Sequence, residues 1–184
     1  MKTIICVIGR TCSGKDTLAR ALKKKFGFDT FVSYTTREKR DSEVDGVEHK
    51  FITEEEYDNI YKYKEKIAYT EINGYKYFVL KEDLINSKDE YKVYIIDPKG
   101  FEELVRNFKN DDNIKIFSIY TKCNKTIRRR RYNKRESNHK VSFEKRDRAE
   151  TKQFDVFESI GSTLYSTGKH SIISTEGLDW SDLL

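Results

Sequence analysis

Apolar and polar positions fall in blocks along the chain, and the period of each block predicts its element. Residues 3–8, Thr-Ile-Ile-Cys-Val-Ile, form an unbroken β-favouring run, the pattern of a central parallel strand covered on both faces. A loop from Gly9 to Gly14 follows. From Lys15 the apolar positions Leu18, Ala21 and Leu22 share one helical face, with Gly27 placed as a C-terminal cap. Asp29 to Ser33 reads as a second short strand, and a polar stretch runs from Tyr34 to Lys50. Thr53 and Glu56 have capping-box spacing, and Tyr57, Ile60 and Tyr61 continue at helical period, which predicts a helix over about residues 54–65.

The period then switches to two. Ile67–Ile72 and Tyr75–Leu80 flank Asn73-Gly74, a dipeptide that suits the positive φ angles of a tight hairpin turn. Val93 to Ile96 returns to the buried-strand pattern and ends at Asp97, after which Phe101, Leu104, Val105 and Phe108 mark a helix. Ile114–Tyr120 reads as a strand, and a helix from about Lys125 runs into the basic segment 128–135. A polar gap, Glu136 to Val141, precedes a helix from Phe143 to about Phe157 and a late strand, Ser171–Ser174. The alternation implies an α/β fold of three layers with a mainly parallel sheet and an inserted antiparallel ribbon. Ligands of such sheets bind beyond the carboxyl ends of the strands, where Gly9–Gly14 and Asp97 would both lie.

Length allows one domain with a small insertion, since 184 residues would be cramped as two. Hydrophobic residues make up only 36%, but 12 Tyr and 11 Phe supply large buriable side chains, which argues against disorder. The net charge of +5 suits an anionic ligand and is too small to demand nucleic acid. No apolar run approaches the ~20 residues of a membrane helix, and none reads as a secretion signal. Cys6, Cys12 and Cys123 are far apart, against a zinc site or a disulfide framework, so a reducing, cytoplasmic setting is expected. His139 and His170 have no ligand-like spacing.

The chemistry concentrates at Gly9-Arg10-Thr11-Cys12-Ser13-Gly14-Lys15, which matches GxxxxGK. Glycines there let backbone N–H groups turn inward on phosphate, the following helix adds positive potential, and the lysine reaches the outer phosphates. With Asp16 and Thr17 this loop is the candidate ATP site. Asp16 stands where a hydroxyl residue would normally face magnesium; a carboxylate can hold Mg²⁺ directly or through water, with Thr17 beside it. Asp97 is a further acidic candidate for the metal, or it caps the next helix. Arg37 and Arg40 can converge on one phosphate with planar, bidentate forks.

Ser33-Tyr-Thr-Thr-Arg37-Glu-Lys-Arg40-Asp-Ser-Glu43-Val-Asp-Gly46 resembles the nucleotide-acceptor loop of guanylate kinases. The hairpin with Tyr77, then Ile96-Asp97-Pro-Lys-Gly100, continues the similarity in order over about residues 2–155. The resemblance implies an ATP-binding core, an inserted acceptor region near 33–90 and an Arg-rich lid near 130–145. It implies that Arg37, Arg40 and Tyr77 grip the acceptor monophosphate with Glu43 orienting an arginine or a water. Ser33 and Asp97 remain from the base-side set, and His49 stands where the family has a phosphate-contacting tyrosine. Arg131, Arg135 and Arg146 match the arginines of the lid and following helix, with Arg130 an alternative to Arg131.

The match thins in the base pocket, where the family's guanine-reading acid falls on Ala68 and its base-contacting hydroxyl on Val79. Using Glu71 instead would turn that side chain to the opposite face unless a bulge intervenes, whereas Thr70 shares the face of Ala68. The expected activity is Mg²⁺- and ATP-dependent phosphoryl transfer to GMP, dGMP or another nucleoside monophosphate. Two rivals remain: a non-catalytic guanylate kinase-like protein-interaction module, and nucleic-acid binding through residues 128–135, which no recognised module supports.

Overall fold

The computed structural model describes residues 1–40, 43–72, 74–135, 141–160 and 170–176. Five parallel strands form the main sheet: β1 (Lys2–Ile8), β2 (Asp29–Thr30), β7 (Tyr91–Ile95), β8 (Ile114–Lys122) and β9 (His170–Ser174), in the order β2-β7-β1-β8-β9. Alternation along β1 sends Ile5 and Val7 to one face, where they pack with Leu18 and Ala19 of α1 (Lys15–Phe26). Ile4, Cys6 and Ile8 face the other way, onto Phe101, Leu104, Val105 and Phe108 of α4 (Pro98–Phe108) and Phe154 and Phe157 of α6 (Phe143–Ile160). Helices thus cover both faces of a parallel sheet, as the apolar runs implied. Burial pushes the Cys6 thiol far up in pKa, in keeping with its place in the core.

A second sheet of order β4-β3-β6-β5 is inserted between β2 and β7. It comprises β3 (Ser33–Thr35), β4 (His49–Phe51), β5 (Lys66–Ile72) and β6 (Tyr75–Leu80). The expected second strand therefore divides, its start pairing in the main sheet and its end opening the insert. The expected ribbon is the β5–β6 half of this sheet, and β4, absent from the sequence reading, pairs in parallel with β3. Residues facing each other across the strands share a face. One face carries Tyr34 and Phe78, which pack with Tyr57 and Leu80 into a small aromatic core. The opposite face carries Ser33, His49, Ala68, Thr70, Tyr77 and Val79.

The helix expected over about 54–65 is shorter. It runs as α2 (Glu54–Glu56) into a wider turn over Tyr57–Tyr61, and its start is fixed by the Thr53–Glu56 capping box. A short α3 (Lys81–Ile85) follows β6. The insert is anchored to the core through its edge strand. On α4, the Glu103 carboxylate accepts the Tyr69 backbone N–H and Asn107 donates to the Ile67 carbonyl at 3.0 Å. The basic helix is α5 (Lys125–Arg135). It joins α6 through a buried ion pair, Arg128 to Asp147 at 2.6 Å, and Lys125 also reaches Asp147 at 2.8 Å.

Candidate active site

The loop between β1 and α1 is built around two positions that need glycine. A Cβ on Gly9 would lie 2.9 Å from the Thr121 carbonyl and nearer still to the hydroxyls of Thr121 and Ser13, which bond each other at 2.7 Å. Gly14 has φ 95°, a left-handed conformation that side chains resist. Cys12 also turns left-handed, at φ 60°. These turns set the loop's polarity. The Arg10 carbonyl accepts from Ser13 N–H and from Lys15 Nζ, each at 3.0 Å. The Thr11 carbonyl accepts from Arg128 and the Cys12 carbonyl from Arg131, both at 3.4 Å, and the Ser13 carbonyl accepts from the Thr175 hydroxyl at 2.8 Å. The carbonyls of four successive residues, Arg10 to Ser13, are thus all engaged by the loop itself, by α5 or by Thr175.

Two further clamps tie the loop to α6. Glu150 of α6 accepts the Thr11 backbone N–H at 2.8 Å and also the Thr11 hydroxyl. Arg10 bonds Asp155 at 2.5 Å and Glu158 at 3.2 Å, with its guanidinium 5.3 Å from the Phe154 ring centre.

Across from the loop, the insert gathers the acceptor candidates. Arg37 donates to both oxygens of Glu43 at 3.0 Å, and Arg40 contributes its backbone N–H at 2.9 Å and its guanidinium at 3.1 Å to the same carboxylate. Burial alone would raise the Glu43 carboxyl; the hydrogen bonds from Arg37 and from the Arg40 backbone hold it below its usual range instead. A cluster of two cations and one buried anion keeps surplus positive charge. Tyr77 lies against Arg37, and His49 meets Tyr77 edge to face at 5.8 Å between ring centres. Ser33 Oγ and His49 Nδ1 are 2.8 Å apart. Burial, then the charge of Arg37, push the His49 imidazole down to about 4, so it is neutral at pH 7. The same imidazole feels Asp16, which places this face of the insert opposite the first turn of α1.

Asp97 does cap α4, accepting Lys99 N–H at 2.9 Å and Gly100 N–H at 3.2 Å, and it also accepts Gln153 Nε2 at 2.5 Å. Burial outweighs those bonds and raises its pKa. Among the described residues, no group of three His, Cys, Asp or Glu side chains converges as a metal cage. Asp16 is exposed at the start of α1, with Thr17 half-buried beside it.

The sequence model of guanylate kinases matches residues 1–160. The chain belongs to the guanylate kinase family. Among curated guanylate kinases, that of Bartonella henselae is 33% identical over 109 residues, 58% of this chain and 49% of the relative. That of Helicobacter pylori is 29% identical over 159 residues, 85% of this chain and 75% of the relative. The match to the first of these spans about half the relative's length. A crystal structure of guanylate kinase from Anaplasma phagocytophilum has the same fold, with a TM-score of 0.63 at 18% identity over 98% of this chain and 79% of the other.

Within this guanylate kinase fold the arginines of α5 do different work from one another. Arg131, expected in the lid, donates to the Thr175 carbonyl at 2.8 Å and to the loop carbonyl of Cys12, which ties the loop to the residue after β9. Arg128 is buried against Asp147, and Arg129 pairs with Glu144 at 2.9 Å. Arg146 lies 5.9 Å from the Tyr132 ring centre. The Arg135 side chain and His139 lie outside the described residues, as does the side chain of His170. Sequence reasoning missed Glu150, Arg128 and Thr175 as supports of the loop. Thr175 follows β9 at a point where the family resemblance had ended, and no spacing marks it.

Proposed function

We propose that this guanylate kinase-family chain transfers the terminal phosphoryl group of ATP to a nucleoside monophosphate. The observation that carries the reading is the phosphate loop itself, with the carbonyls of Arg10 to Ser13 engaged and its glycines intact. Such a loop offers N–H groups and the start of α1 to a polyphosphate, with Lys15 adding charge. The second support is the Arg37–Glu43–Arg40 cluster on the facing sheet, which presents guanidinium groups to an acceptor phosphate. Glu43 fixes both forks before substrate arrives, which lowers the entropy cost of binding.

Mg²⁺ arriving on the nucleotide phosphates would neutralise the charge that develops during transfer. The donor set fits such an ion, because magnesium keeps several waters and asks for one or two carboxylates, and Asp16 is exposed where the loop enters α1. Asp97 would serve more remotely, with Oδ1 already accepting three donors. An acceptor phosphate oxygen is already anionic, so the residues need to align and desolvate it; no strong general base is required.

Lys15→Ala tests the reading. Phosphoryl transfer from ATP to a panel of ribo- and deoxyribonucleoside monophosphates is expected in the wild type and lost in the variant. Turnover that survives Lys15→Ala refutes the loop assignment. A wild type that binds ATP yet phosphorylates no monophosphate favours the protein-interaction module.

A further inference from the structure

Among the described residues only three buried polar side-chain atoms lack a hydrogen-bond partner: Arg37 Nε, Thr70 Oγ1 and Asp83 Oδ2. Two of the three lie on the acceptor insert's inward face or its phosphate cluster. Arg37 Nε sits in the cation cluster described above. Thr70 is 7% exposed and faces Tyr77 across the hairpin, two residues from Ala68 on the same side. An orphaned hydroxyl in a packed site is a cost, and no hydrogen bond in the fold itself repays it.

The neighbouring groups are already engaged or apolar. Ser33 Oγ is paired with His49, Tyr77 lies against Arg37, and Ala68 and Val79, 2% and 0% exposed, join the main core. A bulge between Lys66 and Ala68 leaves the register Ala68–Val79 and Thr70–Tyr77 intact, so Glu71 stays on the outer face, exposed. The inward face of β5 and β6 therefore offers a base one free hydroxyl and no carboxylate.

A hydroxyl has one proton to give and two lone pairs. The pairing edge of guanine presents a carbonyl, a ring N–H and an amino group, three needs. That of adenine presents a ring nitrogen and an amino group, which one hydroxyl can serve by donating to the first and accepting from the second. Resting on the kinase reading above, we propose that Thr70 is the base-discriminating residue of the acceptor site and that the preferred acceptor is an adenine nucleoside monophosphate, ribo or deoxyribo. Guanine buried on Ala68 and Val79 leaves donors unpaired and is disfavoured. Thr70 Oγ1 is sealed from water as the chain stands, so on this proposal the insert has to move relative to α4, against the Glu103–Tyr69 and Asn107–Ile67 bonds, before a base can reach it.

The experiment measures kcat/KM for AMP, dAMP, GMP and dGMP with ATP and Mg²⁺, following labelled acceptor, in wild type, Thr70→Val and Thr70→Ser. Calorimetric binding of AMP and GMP gives a readout independent of turnover. Wild type should favour the adenine acceptors. Thr70→Val, close in volume and suited to a strand, should lower kcat/KM for adenine acceptors about tenfold or more while KM for ATP stays put, and Thr70→Ser should restore it. Circular dichroism melts confirm that the valine variant is folded. A guanine preference of tenfold or more, or an adenine preference unchanged by Thr70→Val, overturns the assignment and moves base reading to Asp97. Absence of transfer to every acceptor refutes the kinase reading instead, and the binding ratio then still decides the role of Thr70.

Discussion

His49 combines a buried ring with two cationic neighbours, and its titration has a defined sign. Free histidine takes a proton near pH 6.5, whereas this imidazole does so near 4, under the influence of burial, Arg37, Glu43, Arg40 and Asp16. Between those values the unfolded chain binds a proton that the folded chain refuses, so stability falls as pH drops through the window. The contribution is full above about 6.5, is on the order of 3 kcal/mol, and does not fall further below about 4. Thermal melts at about pH 7, 5.5 and 4.5 should show a steeper decline in the wild type than in His49→Gln. Glu43 offers a second check on the same cluster. Glu43→Gln removes the anion that holds Arg37 and Arg40, and KM for the monophosphate should rise about tenfold with little change in KM for ATP.

Helices α5 and α6 are joined by a pair that is costly to break. Asp147→Ala strands the Arg128 guanidinium, 3% exposed, and should cost roughly 3–5 kcal/mol in urea unfolding. At the strand-to-helix turn, Gly9→Ala forces a methyl into Thr121 and Ser13 and should cost roughly 1–3 kcal/mol together with ATP affinity. This turn was legible from the sequence, because GxxxxGK between a β run and a helical period leaves few alternatives. So were β1, β7 and β8, whose apolar runs signal burial on both faces. The three-residue β4 was not, since its pairing with β3 depends on a neighbour and too few positions exist to display a period. The shortened helix after Thr53 shows the same limit. Its apolar positions Tyr57 and Tyr61 satisfy the aromatic core of the insert, and that packing sets where the helix stops. Arg128 and Arg131 looked alike within a run of arginines, and only the approach of α6 and β9 separates a buried ion pair from a loop support.

At the scale of the molecule, the candidate nucleotide site is assembled from distant parts of the chain. The insert contributes the acceptor face, α6 brings Glu150 to Thr11, and β9 carries Thr175 to the far side of the loop. Nucleotide binding should therefore stabilise the whole fold. ATP at a hundred times its dissociation constant should add about 2.7 kcal/mol, read as a rise in melting temperature that Glu150→Ala diminishes. The place of Thr175 also imposes an order on biosynthesis. A ribosome finishes the Gly9–Gly14 segment early, yet the Ser13 carbonyl gains the Thr175 hydroxyl, and Arg131 the Thr175 carbonyl, only when β9 docks beside β8. A chain truncated before His170 would thus carry the full GxxxxGK motif as an unfinished cradle, and should bind ATP more weakly than the full chain in a direct titration.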